Sequence, residues 1–190
     1  MRNVRVATIA GVAFLLALPT LQDGVRADGK RRVLRAELHG FEEPPAVSST
    51  GTGEFRARIN HDGTAFDYEL SFEDLEGDVT QAHIHVAQKG VNGGISVWLC
   101  GTTDFPGPAG TPSCGGPRSG TVSRMVTADD VIGPAGQGIA AGEFEELLTA
   151  MREGVTYANV HSTRNPGGEI RGQIGNRGLF FGRFGDHHDH

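Results

Sequence analysis

Residues 54–72 read Glu-Phe-Arg-Ala-Arg-Ile-Asn-His-Asp-Gly-Thr-Ala-Phe-Asp-Tyr-Glu-Leu-Ser-Phe. Positions 54–59 and 66–72 alternate polar and apolar side chains, which is typical of half-buried antiparallel strands. The turn between them carries Asp62 and Gly63 at its tip, a strong signal for a β-hairpin. This stretch therefore predicts two neighbouring strands that turn one face toward a core.

The same two-residue period recurs along the rest of the chain. It predicts further strands at 33–38, 82–86, 95–99, 120–126, 156–160 and 169–174. Residues 141–153 differ, because Phe144, Leu147, Leu148 and Met151 share one helical face and Gly154 follows as a stop. Thr127 and Asp130 have the spacing of a capping box, which predicts one more helical turn. We expect an all-β fold, an antiparallel Greek-key β-sandwich or barrel of about eight strands with one or two short helical insertions.

Composition excludes several classes of protein. The 29 Gly and 9 Pro among 190 residues disfavour a long-helix protein. No segment recurs at a fixed period, so a repeat solenoid is not expected. The chain has 17 basic and 23 acidic residues and no basic stripe, which argues against nucleic acid as a partner.

The N-terminus has the features of a targeting sequence. Arg2 and Arg5 precede a nearly unbroken apolar run over 6–18, and Val25 and Ala27 are small residues that precede a cleavage point after Ala27. This pattern predicts a signal peptide over 1–27, and the apolar run is shorter than the ~20 residues that cross a bilayer. We expect an exported protein, periplasmic or extracellular, with no membrane span in the mature chain.

Residues 28–175 are predicted to form a single β domain, followed by a flexible, His-rich tail over 176–190. The tail carries His187, His188 and His190, and its simplest interpretation is a solvated end that binds metal ions weakly.

Because an oxidising compartment allows thiols to pair, we expect a disulfide between Cys100 and Cys114, with two free thiols as the alternative.

The histidines are the most informative chemical feature. His83 and His85 flank Ile84 in a predicted strand, so both imidazoles lie on one face with Cα atoms about 6.6 Å apart. His161, which follows strand 156–160, is a candidate third ligand from a neighbouring strand. The alternatives are an exposed His-x-His pair without metal and a hydrogen-bonded structural His161.

Four segments resemble, in order, the successive motifs of the CHRD domain, a module named for chordin and common in exported bacterial proteins. They are Leu-His-Gly-Phe-Glu-Glu-Pro-Pro-Ala-Val at 38–47, Ala-His-Ile-His at 82–85, Tyr-Ala-Asn-Val-His-Ser at 157–162, and Asn-Pro-Gly-Gly-Glu-Ile-Arg-Gly-Gln at 165–173. The resemblance covers roughly residues 33–175. It implies an exported domain and says little about chemistry.

Residues 75–85 are also similar, more distantly, to the loop and strand of copper/zinc superoxide dismutases that bear the His-x-His copper ligands. This resemblance implies a copper site formed by His83, His85 and His161. It further implies that Arg171, which follows the turn at Gly167 and Gly168, is a catalytic residue that guides the superoxide anion to the copper ion.

The chain departs from that family, because no His lies between His85 and His161 and the zinc loop is therefore missing. Only a copper-only site is compatible with this departure. Its fourth ligand is left open between His39, Glu43, Glu169 and water.

These observations give a leading hypothesis and two alternatives. The leading hypothesis is an exported protein that binds one copper ion per chain, with superoxide as substrate of a copper-only dismutase. The first alternative is a non-catalytic extracytoplasmic binding or scaffold module whose loops contact a protein partner. The second is copper storage or delivery with the help of the tail. A homodimer is left open in each case.

Overall fold

The hairpin predicted from residues 54–72 forms two neighbouring strands close to one edge of an eight-stranded antiparallel sheet. We analysed a computed structural model, which describes residues 32–175. Over that range the sheet order is β5-β4-β7-β8-β1-β2-β3-β6. The strands are β1 (Val33–His39), β2 (Thr52–Ile59), β3 (Phe66–Glu73), β4 (Val79–Val86), β5 (Gly94–Cys100), β6 (Gly120–Val126), β7 (Thr156–Ser162) and β8 (Ile170–Ile174).

The sheet curls into a nearly closed barrel around one apolar core. Alternate residues of the hairpin strands point inward, including Phe55, Ala57, Tyr68 and Leu70, each at most 3% exposed. The Tyr68 hydroxyl donates to the Leu99 carbonyl on β5, a contact that crosses the interior between two distant strands of the sheet. The all-β antiparallel architecture is therefore confirmed.

The helical insertions are short. Helix α1 spans Phe144–Arg152 and buries Phe144, Leu147, Leu148 and Met151, the same face that the sequence predicts. It begins later than predicted because Gly142 has a φ of 86°, outside the helical region. Phe144 stacks on Phe66 with ring centroids 5.8 Å apart, so α1 packs against the core.

Three single 3₁₀ turns accompany α1 in the described part of the chain. They span Gly40–Glu42, Ala128–Asp130 and Ala135–Gln137. The second has the predicted capping box between Thr127 and Asp130.

Cys100 and Cys114 form a disulfide in the structure. Both are fully buried, and they join the end of the edge strand β5 to the segment that leads into the other edge strand, β6. The crosslink thus ties the two open edges of the barrel together.

The predicted signal peptide and His-rich tail lie outside the described residues. Within 32–175 no helix is long and apolar enough to cross a membrane.

Strand β7 differs from the hairpin strands because all of its residues are buried on both faces. Its outer face, together with those of β4 and β8, lies under three loops at positions 40–45, 87–93 and 163–169. The first two loops contact each other, since Lys89 Nζ lies 2.9 Å from Glu42 Oε1 and Asn92 donates to the Pro44 carbonyl over 3.3 Å. The candidate functional residues lie in this covered layer.

Candidate metal centre

The three predicted ligands meet on the outer face of β4 and β7. In the strand register His83 lies opposite Asn159, His85 opposite Tyr157, and Gln81 opposite His161. Because side chains alternate along a strand, these positions share one face while Ala82, Ile84, Ala158 and Val160 point into the core. One ring nitrogen from each of the three histidines lies within 4.8 Å of the others.

Two carbonyl groups orient two of these rings. His85 Nδ1 lies 2.9 Å from the Gly93 carbonyl oxygen, and His161 Nδ1 lies 2.8 Å from that of Pro166. A carbonyl only accepts hydrogen bonds, so each Nδ1 carries the proton and each Nε2 keeps its lone pair. His161 Nε2 then faces His83 Nδ1 over 3.2 Å. A backbone partner on the far nitrogen is the usual way to orient a metal-binding imidazole.

Burial keeps these imidazoles neutral. His83 is 1% exposed, and His85 and His161 are each 7% exposed. Desolvation lowers the pKa of His83 to about 2, helped by the neighbouring His161 and His85. Desolvation also lowers the pKa of His85 to about 4, against the hydrogen bond to Gly93. The pKa of His161 is lowered for the same reason. Neutral imidazole is the form that binds a metal ion.

Two aromatic side chains complete the walls. The Tyr157 ring stacks on His85 with centroids 4.7 Å apart and planes at 2°. The Trp98 ring meets His83 edge-on, with centroids 4.4 Å apart. Both contacts restrict rotation of the imidazoles. Tyr157 and Asn159 were missed at the sequence level, although they precede His161 by four and two positions and therefore share its strand face.

Glu43 extends the polar layer. It is 7% exposed, and its carboxyl group lies so close to Gly168 that a Cβ at that position would collide with it. Burial raises the pKa of Glu43 to about 7, against the opposing effects of Arg171 and Asn159. Of the eight side-chain atoms that are buried without a hydrogen-bond partner among the described residues, four lie in this layer: Glu43 Oε1, Asn159 Oδ1 and the Nε2 atoms of His83 and His85.

Arg171, the predicted anion guide, lies beneath the 87–93 loop and is 1% exposed. Its guanidinium carbon is 3.3 Å from the Tyr157 ring centroid. The guanidinium donates to the Val91 carbonyl over 2.7 Å and to Asn92 Oδ1 over 3.3 Å. These contacts place Arg171 beside the histidine cluster, and its guidance of an anion stays a prediction.

The other candidates for a fourth ligand have different surroundings. His39 is exposed at the end of β1, opposite Thr52, and is not part of the three-histidine group. Glu169 is fully buried and accepts hydrogen bonds from Ser49 Oγ over 2.7 Å, from the Glu76 amide over 2.6 Å, and from Ser162 Oγ. Its oxygens are thus used to tie loops together, while Glu43 retains a free oxygen in the layer.

The fold and the site define an all-β module with a disulfide and a loop-covered histidine cluster on one outer face. A family model for the CHRD domain matches residues 34–174. The chain belongs to the CHRD domain family, whose domains occur in extracellular proteins. Searches of curated proteins and of solved structures found no match, so the likeness to superoxide dismutases rests on motif order alone.

Proposed function

We propose that this chain is an exported CHRD-domain protein that binds one copper ion through His83, His85 and His161. The observation that carries the proposal is the convergence of one nitrogen from each ring within 4.8 Å, in a buried layer outside the apolar core. Imidazole suits copper, and copper heads the affinity order of divalent first-row metals for such donors.

The distances test whether the residues fit an ion. If Cu–N bonds resemble the ~2.0–2.1 Å of Zn–N bonds, two ligands at 90–110° lie about 2.8–3.4 Å apart. The 3.2 Å between His83 Nδ1 and His161 Nε2 falls in that interval. The 4.8 Å limit of the group exceeds that interval, so a ring must move inward by about 1.4 Å to bind at those angles, and by about 0.6 Å even for a linear N–Cu–N pair with ~2.1 Å bonds.

The proposed use of the ion is binding for storage or delivery. Dismutation requires an open coordination position and a path for superoxide to the ion, whereas storage requires binding alone. The ligands are at most 7% exposed, and the Arg171 guanidinium is already occupied by Val91, Asn92 and Tyr157. These contacts favour a carrier over a copper-only dismutase.

Copper binding is tested on residues 28–175, because the histidines of the tail scavenge metal themselves. Bound copper per chain is measured after removal of weakly held metal by a chelator. We expect about one copper ion in the unmodified domain and in the control His61→Ala, which changes an exposed turn histidine, and none in His83→Ala or His161→Ala. Full copper occupancy in the last two variants would show that these histidines do not hold the ion and would overturn the proposed site. The scaffold hypothesis, in which the histidines bind no metal, would then remain.

The second measurement is the decay of superoxide with copper-loaded protein. We expect the same rate as with the metal-free protein. A faster, saturable decay that disappears in His83→Ala would establish a dismutase and replace the carrier proposal.

A further inference from the structure

Three planar groups form a column across strands β4, β7 and β8. The Arg171 guanidinium carbon lies 3.3 Å from the Tyr157 ring centroid, and the Tyr157 ring stacks on the imidazole of His85 at 4.7 Å and 2°. Strand β7 pairs with β4 on one side and β8 on the other, so Tyr157 lies between its two partners. Movement of the His85 ring toward β8 is therefore blocked by a stack that ends on Arg171.

A second connection runs from Arg171 to the same imidazole through the backbone. Its guanidinium donates to the Val91 carbonyl over 2.7 Å, to Asn92 Oδ1 over 3.3 Å and to the Gln88 carbonyl over 3.4 Å. These groups belong to the 87–93 loop, which ends at Gly93. The Gly93 carbonyl is the group that accepts the His85 Nδ1 proton over 2.9 Å. Arg171 thus fixes both the stack and the carbonyl that define the position of His85.

We propose that Arg171 is a positioning residue that holds His85 as the Nδ1–H tautomer, with Nε2 free to bind a metal ion. A guanidinium suits this task because its planar fork stacks on an aromatic face while it donates several hydrogen bonds in fixed directions. This role requires no contact between Arg171 and an anion. Its consequence for copper affinity rests on the proposed function, whereas the tautomer itself is a property of the metal-free protein.

The first test uses ¹⁵N NMR of histidine side chains in the metal-free mature chain. In the wild type we expect the His85 signals of a single Nδ1–H tautomer. Arg171→Met and Tyr157→Leu should each give a mixture of tautomers. Tyr157→Phe keeps the stack and loses only the 3.4 Å hydrogen bond that the Gly93 amide donates to the Tyr157 hydroxyl, so the Nδ1–H tautomer should remain dominant. Arg171→Lys keeps the charge and loses the planar fork, so it should behave like Arg171→Met. The control Arg118→Met alters an exposed arginine paired with Asp78 and should change nothing.

The second test is copper affinity, measured by chelator competition on residues 28–175. Loss of a group that orients a metal-binding histidine typically weakens binding by about 10–100-fold. We expect that loss in Arg171→Met, Arg171→Lys and Tyr157→Leu, a smaller loss in Tyr157→Phe, which keeps the stack and lacks only the hydroxyl contact to the Gly93 amide, and no loss in Arg118→Met. Circular dichroism of each variant tests whether it folds. If Arg171→Met does not fold, the contrast between Tyr157→Leu and Tyr157→Phe shows whether the stack positions His85.

The two tests distinguish failure of the positioning role from failure of the proposed function. A single Nδ1–H tautomer of His85 in folded Arg171→Met and Tyr157→Leu would overturn the positioning role, whatever the metal result. A wild-type domain that shows the tautomer and binds no copper would overturn the proposed function and leave the positioning role standing. Equal copper affinity in all variants would show that the position of His85 does not control binding, which also contradicts the inference.

Discussion

The buried carboxyl group of Glu43 leads to the sharpest prediction on stability. The side chain is 7% exposed and its Oε1 atom has no hydrogen-bond partner among the described residues. Burial raises its pKa from 4.5 to about 7. The substitution Glu43→Gln keeps the shape of the side chain and removes the charge. We therefore expect it to stabilise the metal-free protein at alkaline pH and to have little effect at acidic pH.

The magnitude follows from the two pKa values. The folded state holds the proton of Glu43 more tightly than the unfolded state, so the associated stability is fully present below pH 4.5 and is lost as the pH rises through about 7. At about 1.4 kcal/mol per pH unit, the complete loss is roughly 3 kcal/mol. Most of it falls between pH 5 and pH 8. Glu43→Gln does not undergo this loss.

The assay is urea denaturation of chelator-treated protein at pH 5 and at pH 8. We expect the difference in unfolding free energy between Glu43→Gln and wild type to grow by about 2–3 kcal/mol between the two values. The histidines titrate in both proteins, so their contribution cancels in this difference. Glu69→Gln, at an exposed position of β3, is the matched control. A difference that is the same at both pH values would refute the reasoning, because Glu43 would then be ionised throughout and stabilised by Arg171.

Three further predictions concern the disulfide, a buried carboxylate and the retention of metal. The double variant Cys100→Ser/Cys114→Ser should lose about 3 kcal/mol of unfolding free energy in urea, as the loop-entropy model gives for a loop of about 15 residues; an unchanged midpoint would contradict it. Glu169→Gln should lose roughly 1.5–3 kcal/mol in the same assay, since charge-assisted hydrogen bonds to two serine hydroxyls and an amide are weakened, and an unchanged midpoint would contradict it. In Glu43→Gln, where the buried carboxyl group no longer titrates near pH 7, copper affinity should stay nearly constant from pH 7 to pH 5 because burial holds the pKa of His85 near 4; a decline that begins near pH 6.5 would indicate solvated ligands.

Much of the fold could be predicted because side-chain alternation is a local signal. Strand β6 spans 120–126, as the pattern predicts, and β3 extends only one residue further than the predicted 66–72. Strand β7 was predicted to end at 160 but continues through Ser162. The pattern stops there because His161 and Ser162 are both polar. The strand continues because the loops bury its polar outer face.

The candidate site was predictable only in part, for a physical reason. The shared face of His83 and His85 follows from the two-residue period alone. The pairing of β4 with β7, which brings His161 to them, is a long-range contact that no local pattern encodes. The burial of Arg171 depends in turn on the 87–93 loop, which lies about eighty residues earlier in the chain.

The position of the histidine cluster explains how a polar site coexists with a small barrel. Buried polar atoms without partners cost free energy, and such atoms on Glu43, Asn159, His83 and His85 lie in this one layer. Because the layer lies outside the sheet, the apolar core on the opposite face remains continuous through Ile84 and Val160. A bound ion would supply the missing partner for His85 Nε2 and would stabilise the folded state by mass action, about 2.7 kcal/mol at 100 times the dissociation constant. The cost of the site is therefore confined to the covered layer, where binding of its ligand offsets it.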